Sequence, residues 1–274
     1  MNGIYQNMLA QYDLGTSQQQ RNAIFEVNQQ IVLAGLYQGG FFEKAAFYGG
    51  TCLRIFHGLQ RFSEDMDFSL LAADEHFDFT PYFQPIIDAF ALVGRQVEIT
   101  KKEKKSFGKV ESAFLKDTTD VYDLSFQTEK SIKIKIEVDT QPPSGFSTEQ
   151  KLLLQPVSFM TRCFALPDLF AGKMHALVFR SWKNHVKGRD WYDFEFYIRH
   201  NVPLHFAHLQ QRILQFNGEK VEKEEFLALL RNRLSSTDIR QVKADVLPFV
   251  RNPRELEIWS NDYFLQLAER IVWV

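Results

Sequence analysis

Asp65 and Asp67 stand two residues apart, directly ahead of the apolar run Phe68-Ser69-Leu70. If that run is a strand, its period of two turns both carboxylates to one face. Upstream, separated from Asp65 by thirteen residues, lies the tripeptide Gly49-Gly50-Thr51. Paired glycines let a backbone approach a ligand closely. Thr51 adds a hydroxyl at the expected start of a short helix, where free N–H groups favour an anion such as phosphate. Two hard oxygen ligands beside a phosphate cradle are what Mg²⁺-assisted chemistry on a nucleotide requires. The plainer alternative is a turn, an amphipathic helix and a capped strand with solvated acids.

Two-metal chemistry on a nucleotide calls for a third acid. Glu137 is the first candidate, on the polar face of the run Ile132–Val138, where Ile132, Ile134, Ile136 and Val138 alternate with Lys133, Lys135, Glu137 and Asp139. Asp139 shares that face nearer the following loop and ranks second. The competing reading makes Glu137 a solvated partner of Lys133 or Lys135.

A helix starting at Pro167-Asp168 carries Lys173, Ala176, Arg180, Lys183 and, if it continues, Lys187, at intervals of three and four. That spacing predicts a cationic stripe able to hold a triphosphate, or else an ordinary solvated face. Next comes Arg189-Asp190-Trp191-Tyr192-Asp193. Asp190 can cap or charge the start of the next helix, with Asp193 one turn on; the plainer alternative is an i,i+4 surface pair of Arg189 and Asp193.

The elements that must position these groups follow from periodicity. Helices are expected over residues 17–37, with Ser17 as cap, and 81–93. Strands are expected over 96–105, 109–115, 121–126, 132–138 and 161–165. Further helices are expected at 167–182, 190–200, 204–216, 223–234, 238–246 and 263–271. The change from mixed to all-helical patterning puts a domain boundary near residue 165: an α/β core over 1–165 and a helical domain over 166–274.

Composition narrows the function classes. With 45% apolar and 24% charged residues, the chain has the make-up of a soluble globular protein, and its 26 Phe predict an aromatic-rich interior. A net charge of −2 excludes a global basic field, so nucleic acid would need a local patch. Lys101, Lys102, Lys104, Lys105 and Lys109 form such a cluster, readable as an RNA contact or as a lysine-guarded edge strand. Two cysteines form neither a metal spacing nor a disulfide framework, which fits a reduced, cytoplasmic setting. No apolar run reaches membrane-spanning length, so no membrane partner is expected. Seven scattered His exclude a zinc spacing, and no Gly-x-Ser-x-Gly or phosphate-binding Walker loop is present.

Four blocks occur in order: Gly49-Gly50-Thr51 through Asp65-x-Asp67, the strand around Glu137, Lys173-Met174-His175-Ala176-Leu177, and Arg189-Asp190-x-x-Asp193. The first resembles the opening motif of the DNA polymerase β-like nucleotidyltransferase superfamily. Together, over residues 45–198, they resemble the AbiEii/AbiGii-type nucleotidyltransferase toxins, whose wording Arg61-x-Ser63-x-Asp65-x-Asp67-Phe68 follows closely. The resemblance implies an α+β fold: a polymerase β-like core, a mixed sheet flanked by helices, with a helical C-terminal half. It implies Mg²⁺ at a two-metal site, a nucleoside triphosphate substrate, and action as the toxin of a toxin–antitoxin or phage-defence pair on an RNA acceptor such as tRNA, with a cognate antitoxin protein. Carried over, Asp65, Asp67 and Glu137 are the metal-binding acids, and Asp190 or Asp193 completes the catalytic set. Gly49, Gly50, Thr51, Arg61, Ser63, Lys173 and Arg180 contact the nucleotide. Glu stands at 137 where many of the wider superfamily have Asp, and its extra methylene changes the metal spacing. Two other readings are a nucleotidyltransferase acting on a small molecule or protein, and a non-catalytic nucleotide- or partner-binding module.

Overall fold

A computed structural model describes residues 3–102, 119–126, 132–180 and 186–274. The chain divides into two compact units: Met1–Phe56, Glu64–Pro142 and Thr148–Cys163 form the first, and His57–Ser63, Pro143–Ser147 and Phe164–Val274 the second.

The first unit opens with α1 (Gly3–Leu9) and α2 (Ser17–Gln38), followed by β1 (Ala45–Tyr48), α3 (Gly49–His57), β2 (Met66–Leu70) and α4 (Phe83–Leu92). Strands β3 (Val97–Lys101), β4 (Thr119–Phe126), β5 (Lys133–Asp139), β6 (Thr148–Leu153) and β7 (Phe159–Phe164) follow. Among the described residues, seven strands join in the order β3-β4-β5-β2-β1-β7-β6. The sheet is mixed: β2 runs parallel to β5 and antiparallel to β1, while β4 is antiparallel to both β3 and β5.

Alternation decides which face of the sheet is core. Met66 and Phe68 of β2, Tyr122, Leu124 and Phe126 of β4, and Ile134, Ile136 and Val138 of β5 are all buried. Phenylalanine fills that side. Phe41 packs its ring against Phe42, Phe68, Phe77, Phe79 and Tyr82, and Phe79 reaches Tyr122 at 4.6 Å between centroids. Phe90 of α4 meets Phe126 edge-on at 5.4 Å. Each fully buried ring is worth about 1.5–3 kcal/mol, so this packing holds the central strands in register. Asp67, Lys135 and Glu137 occupy the opposite, half-buried face.

The second unit is helical: α5 (Leu166–Phe179), α6 (Gly188–Arg199), α7 (Phe206–Asn217), α8 (Lys223–Ser236), α9 (Ile239–Val246) and α10 (Asn261–Ala268). Gly188 begins α6 against α9, where a Cβ would collide with the Val242 carbonyl, and its N–H donates to Asp245. Among the described residues no helix is long and apolar enough to cross a membrane.

Three expectations need correction. Thr16, not Ser17, caps α2: its hydroxyl accepts from the Gln19 N–H while the Gln19 amide oxygen accepts from the Thr16 N–H. That reciprocal pair satisfies two orphan donors, which Ser17 inside the helix has no way to do. Helix α5 stops at Phe179 rather than running to 182 or beyond, and Arg180 is extended. Its end is sealed by Arg233, whose guanidinium donates to the carbonyls of Leu177 and Arg180. Arg180 and Lys187 therefore do not extend a helical stripe from Lys173, and Lys183 lies outside the described residues. Strand β2 begins at Met66, which leaves Asp65 just ahead of it. The strand expected at 109–115 also lies outside the described residues.

Candidate active site

Asp67 sits at the centre of the sheet's polar face. Its Cα lies opposite Glu137 in the parallel β2/β5 ladder and opposite Tyr48 in the antiparallel β1/β2 ladder. Paired residues project to the same side of a sheet, so the carboxylates at 67 and 137 stand next to each other. Both are half-buried, as is Asp65. Gly49 is what admits the Asp67 carboxylate: it begins α3 with φ 80°, and a Cβ there would overlap Oδ2 of Asp67. The Gly49-Gly50 turn thus brings the start of α3 against an acid. Thr51 is buried, and its hydroxyl donates to the Asp65 carbonyl, fixing the main chain that presents Asp65. Asp139 is also buried and accepts from the Gln141 N–H, capping the loop after β5.

A lysine stands among these acids. Lys135 lies two residues before Glu137 on the same face, and its ammonium is ion-paired with the Glu137 carboxylate. Burial works against the charge, but Glu137, then Asp65 and Asp67, raise the Lys135 pKa above its ordinary value. One ammonium therefore interacts with all three carboxylates. The solvated-partner reading of Glu137 matches this pairing. The side chains of Lys135 and Glu137 are 36% and 21% exposed, so water and ions reach them.

The donors suit a hard divalent cation: three carboxylates, with oxygen the sole ligand type, on an accessible face. Among the described residues no three His, Cys, Asp or Glu side chains are drawn together into a ready-made cage. Unscreened carboxylates repel one another, and Lys135 already balances one of the three charges.

In the helical unit the expected site residues form a different kind of cluster. Arg61 donates from Nε and Nη2 to the two carboxylate oxygens of Asp193, both at 2.6 Å, and from Nη1 to the Phe62 carbonyl. Lys173 Nζ lies 2.7 Å from Asp190 and 2.8 Å from Asp193. The Arg61 and Asp193 side chains are 3% and 0% exposed, so this pair is closed to water. Burial pushes the Asp190 carboxyl up, yet Lys173 and then Arg180 hold it down at about 2. Lys173 stays above the usual ammonium range despite burial, because Asp190 and Asp193 outweigh it. Ser63 is buried as well. Asp193 is thus no surface partner of Arg189, whose guanidinium stacks on Phe249 at 4.2 Å.

Beside this cluster, Arg180, Lys187, Arg233 and Asp190 line a small hollow with Trp191 as its apolar wall. Burial, followed by Arg180 and Arg189, lowers the Lys187 pKa. Crowded cations of this kind favour an anion. Among the expected basic strip, Lys101 and Lys102 are half-exposed and pair with Asp120 and Asp123. Lys104, Lys105 and Lys109 lie outside the described residues.

Two features escaped the sequence reading. The Arg61–Asp193 pair spans 132 positions and has no local signal. Asp168, at the start of α5, is buried and accepts from the Ser147 N–H and hydroxyl and from His205 Nδ1 at 2.5 Å.

No curated protein sequence matches the chain. Several solved structures share its fold, MenT4 and JHP933 among them. MenT4, a nucleotidyltransferase toxin from Mycobacterium tuberculosis, superposes with a TM-score of 0.57 at 16% identity, over 96% of this chain and 93% of that one. JHP933 from Helicobacter pylori does so with a TM-score of 0.52 at 15% identity, over 90% of each chain. The family model described as nucleotidyl transferase AbiEii toxin, type IV toxin–antitoxin system, matches residues 31–267. An α+β architecture with a polymerase β-like core, the Gly49–Asp67 block on its central strands and a match over most of the length agree, and the chain belongs to the AbiEii nucleotidyltransferase toxin family.

Proposed function

We propose that the protein transfers a nucleoside monophosphate from a nucleoside triphosphate to a hydroxyl of an RNA acceptor, with Asp65, Asp67 and Glu137 as the metal-binding acids. The observation that carries the reading is the β2/β5 register, which sets Asp67 directly beside Glu137 on the open face of the sheet. Mg²⁺ held by these acids would neutralise charge on the attacking and leaving oxygens as pyrophosphate departs. Asp67 is fixed by the glycine that makes room for it, and Asp65 by the Thr51 hydroxyl on its carbonyl. Glu137, half-exposed at the strand's polar face, would take the proton of the acceptor hydroxyl. The backbone at Gly49 and Gly50 would approach the phosphates, with Thr51 holding that turn in place. In the helical unit, Lys173 and Arg180 are the proposed phosphate-neutralising cations. Asp190 and Asp193 keep Lys173 charged and aimed, and Arg61 fixes Asp193.

An RNA acceptor and a toxin's role are supported by family membership and by the half-exposed Lys101, at the end of edge strand β3, and Lys102 just after it. The test is incubation with each labelled nucleoside triphosphate, Mg²⁺ and total RNA. Labelled RNA with wild type and none with Asp67→Ala is the expected result. Label on protein would reassign the acceptor. Undiminished labelling by Asp67→Ala would overturn the site.

A further inference from the structure

The Lys135 ammonium occupies the neighbourhood that a divalent ion would need. It is bonded to Glu137 and acts electrostatically with Asp65 and Asp67, on the same half-buried face of the sheet. Lys135 also lies opposite Asp123 in the β4/β5 ladder, but Asp123 is paired with Lys102, so the charge of Lys135 is directed chiefly toward the three acids. Four charged groups then carry a net charge of about −2 where three acids alone would carry −3. A cation already bonded to one acid must be moved before a metal takes that acid.

We infer that Lys135 is a resident counter-ion of the acid face: it lowers the affinity for a free divalent ion, and metal loading requires its release from Glu137. The inference rests on the metal-site reading above and adds a residue that regulates it. Its physical basis is competition. Lys135 stabilises the metal-free arrangement by screening Asp65, Asp67 and Glu137 from one another, and the same charge opposes an incoming divalent ion. An anionic triphosphate offers the released ammonium a new partner, so metal and nucleotide would enter together rather than in sequence. Lys135 is a positioning residue in this account, acting through Glu137.

The experiment titrates Mn²⁺ alone into wild type, Lys135→Met, Lys135→Gln, Lys135→Arg and Asp67→Asn, following free Mn²⁺ by electron paramagnetic resonance, with the metal-free melting temperature of each recorded alongside. Lys135→Met and Lys135→Gln should bind Mn²⁺ roughly tenfold or more tightly than wild type, as expected for removing a cation a few ångströms from the site. Lys135→Arg should bind like wild type. Both neutral variants should melt lower without metal and recover with Mn²⁺. A merely structural lysine would give weaker binding in every damaged variant, so a gain in affinity separates the two roles. Unchanged or weaker Mn²⁺ binding by both neutral variants, with wild type binding and Asp67→Asn not, would overturn the counter-ion role and leave the metal site standing. Equal binding by wild type and Asp67→Asn, or none by any variant, would remove the metal site and this inference with it.

Discussion

Two clusters of acids and cations among the described residues are built to opposite specifications. On the sheet, Asp65, Asp67 and Glu137 stand half-open to water, with Lys135 ion-paired to Glu137. In the helical unit, Asp190 and Asp193 are matched by Lys173 and Arg61, with short bonds, and both Arg61 and Asp193 are shut off from water. An excess of accessible acid invites exchange with ions from solution. A balanced, dry network resists it, because loss of either partner strands a buried charge. The first cluster is therefore suited to bind and release, and the second to hold a lysine charged and fixed.

The sharpest way to break this contrast is Asp193→Asn. It leaves Arg61 and Lys173 without their shared counter-charge and should destabilise the protein by about 3–5 kcal/mol, read from denaturant unfolding. A loss below about 1 kcal/mol would mean the helical cluster is not closed. Acid should spare it for longer than most carboxylate pairs. The Asp190 pKa is depressed from 3.8 to about 2, so its stabilisation is complete above 3.8 and lost only as pH falls toward 2.

A different buried group in the same unit should respond at milder pH. His208 is fully buried, with Nδ1 on the Ser144 carbonyl and the rings of Phe146 and Phe164 edge-on to it. Burial, then Arg212, pushes its pKa down from 6.5 to about 4, against the pull of Ser144 and Asp168. The unfolded chain takes up a proton below 6.5 while the folded one stays neutral, so stability falls as pH drops from 6.5 to about 4. The loss should total roughly 3 kcal/mol. Melting temperature against pH should flatten over that window in His208→Gln, and an unchanged slope would assign the acid sensitivity elsewhere.

On the sheet the effects shift from stability to activity. Gly49→Ala forces a side chain into a left-handed backbone and against Asp67. It should cost about 1–2 kcal/mol and, by displacing that carboxylate, most of the transfer activity. Asp67→Asn should change stability least, within about 1 kcal/mol, because it removes one of three crowded like charges. It should still abolish transfer. A large stability loss without a loss of transfer would invert the assignment of roles.

What the chain alone made legible follows the length scale of each interaction. Strand β5 was readable because four apolar residues alternate with four polar ones, and the structure buries the apolar set. The 26 Phe foretold the aromatic packing around Phe41. Strand β1 has only four residues and no alternation, and β6 reads as mostly polar, so neither was expected. The true end of α5 depends on Arg233, 53 positions away. By spacing, Asp193 is either a member of the block after Lys173 or a local partner of Arg189, and only tertiary structure brings Arg61 to it. Likewise alternation leaves Lys133 and Lys135 equal as candidate partners of Glu137, since the Asp67–Glu137 register that makes Lys135 a neighbour of three acids is set by strand pairing.

The central claim is that the open cluster receives a divalent ion. Crystals soaked in Mn²⁺ with a non-hydrolysable nucleoside triphosphate analogue test it most directly, through the anomalous signal of the metal. The prediction is a peak coordinated by the carboxylates at 65 and 67, with Glu137 turned toward it and Lys135 released. Bound nucleotide with no metal peak at those carboxylates, or a peak coordinated by residues elsewhere, would contradict it.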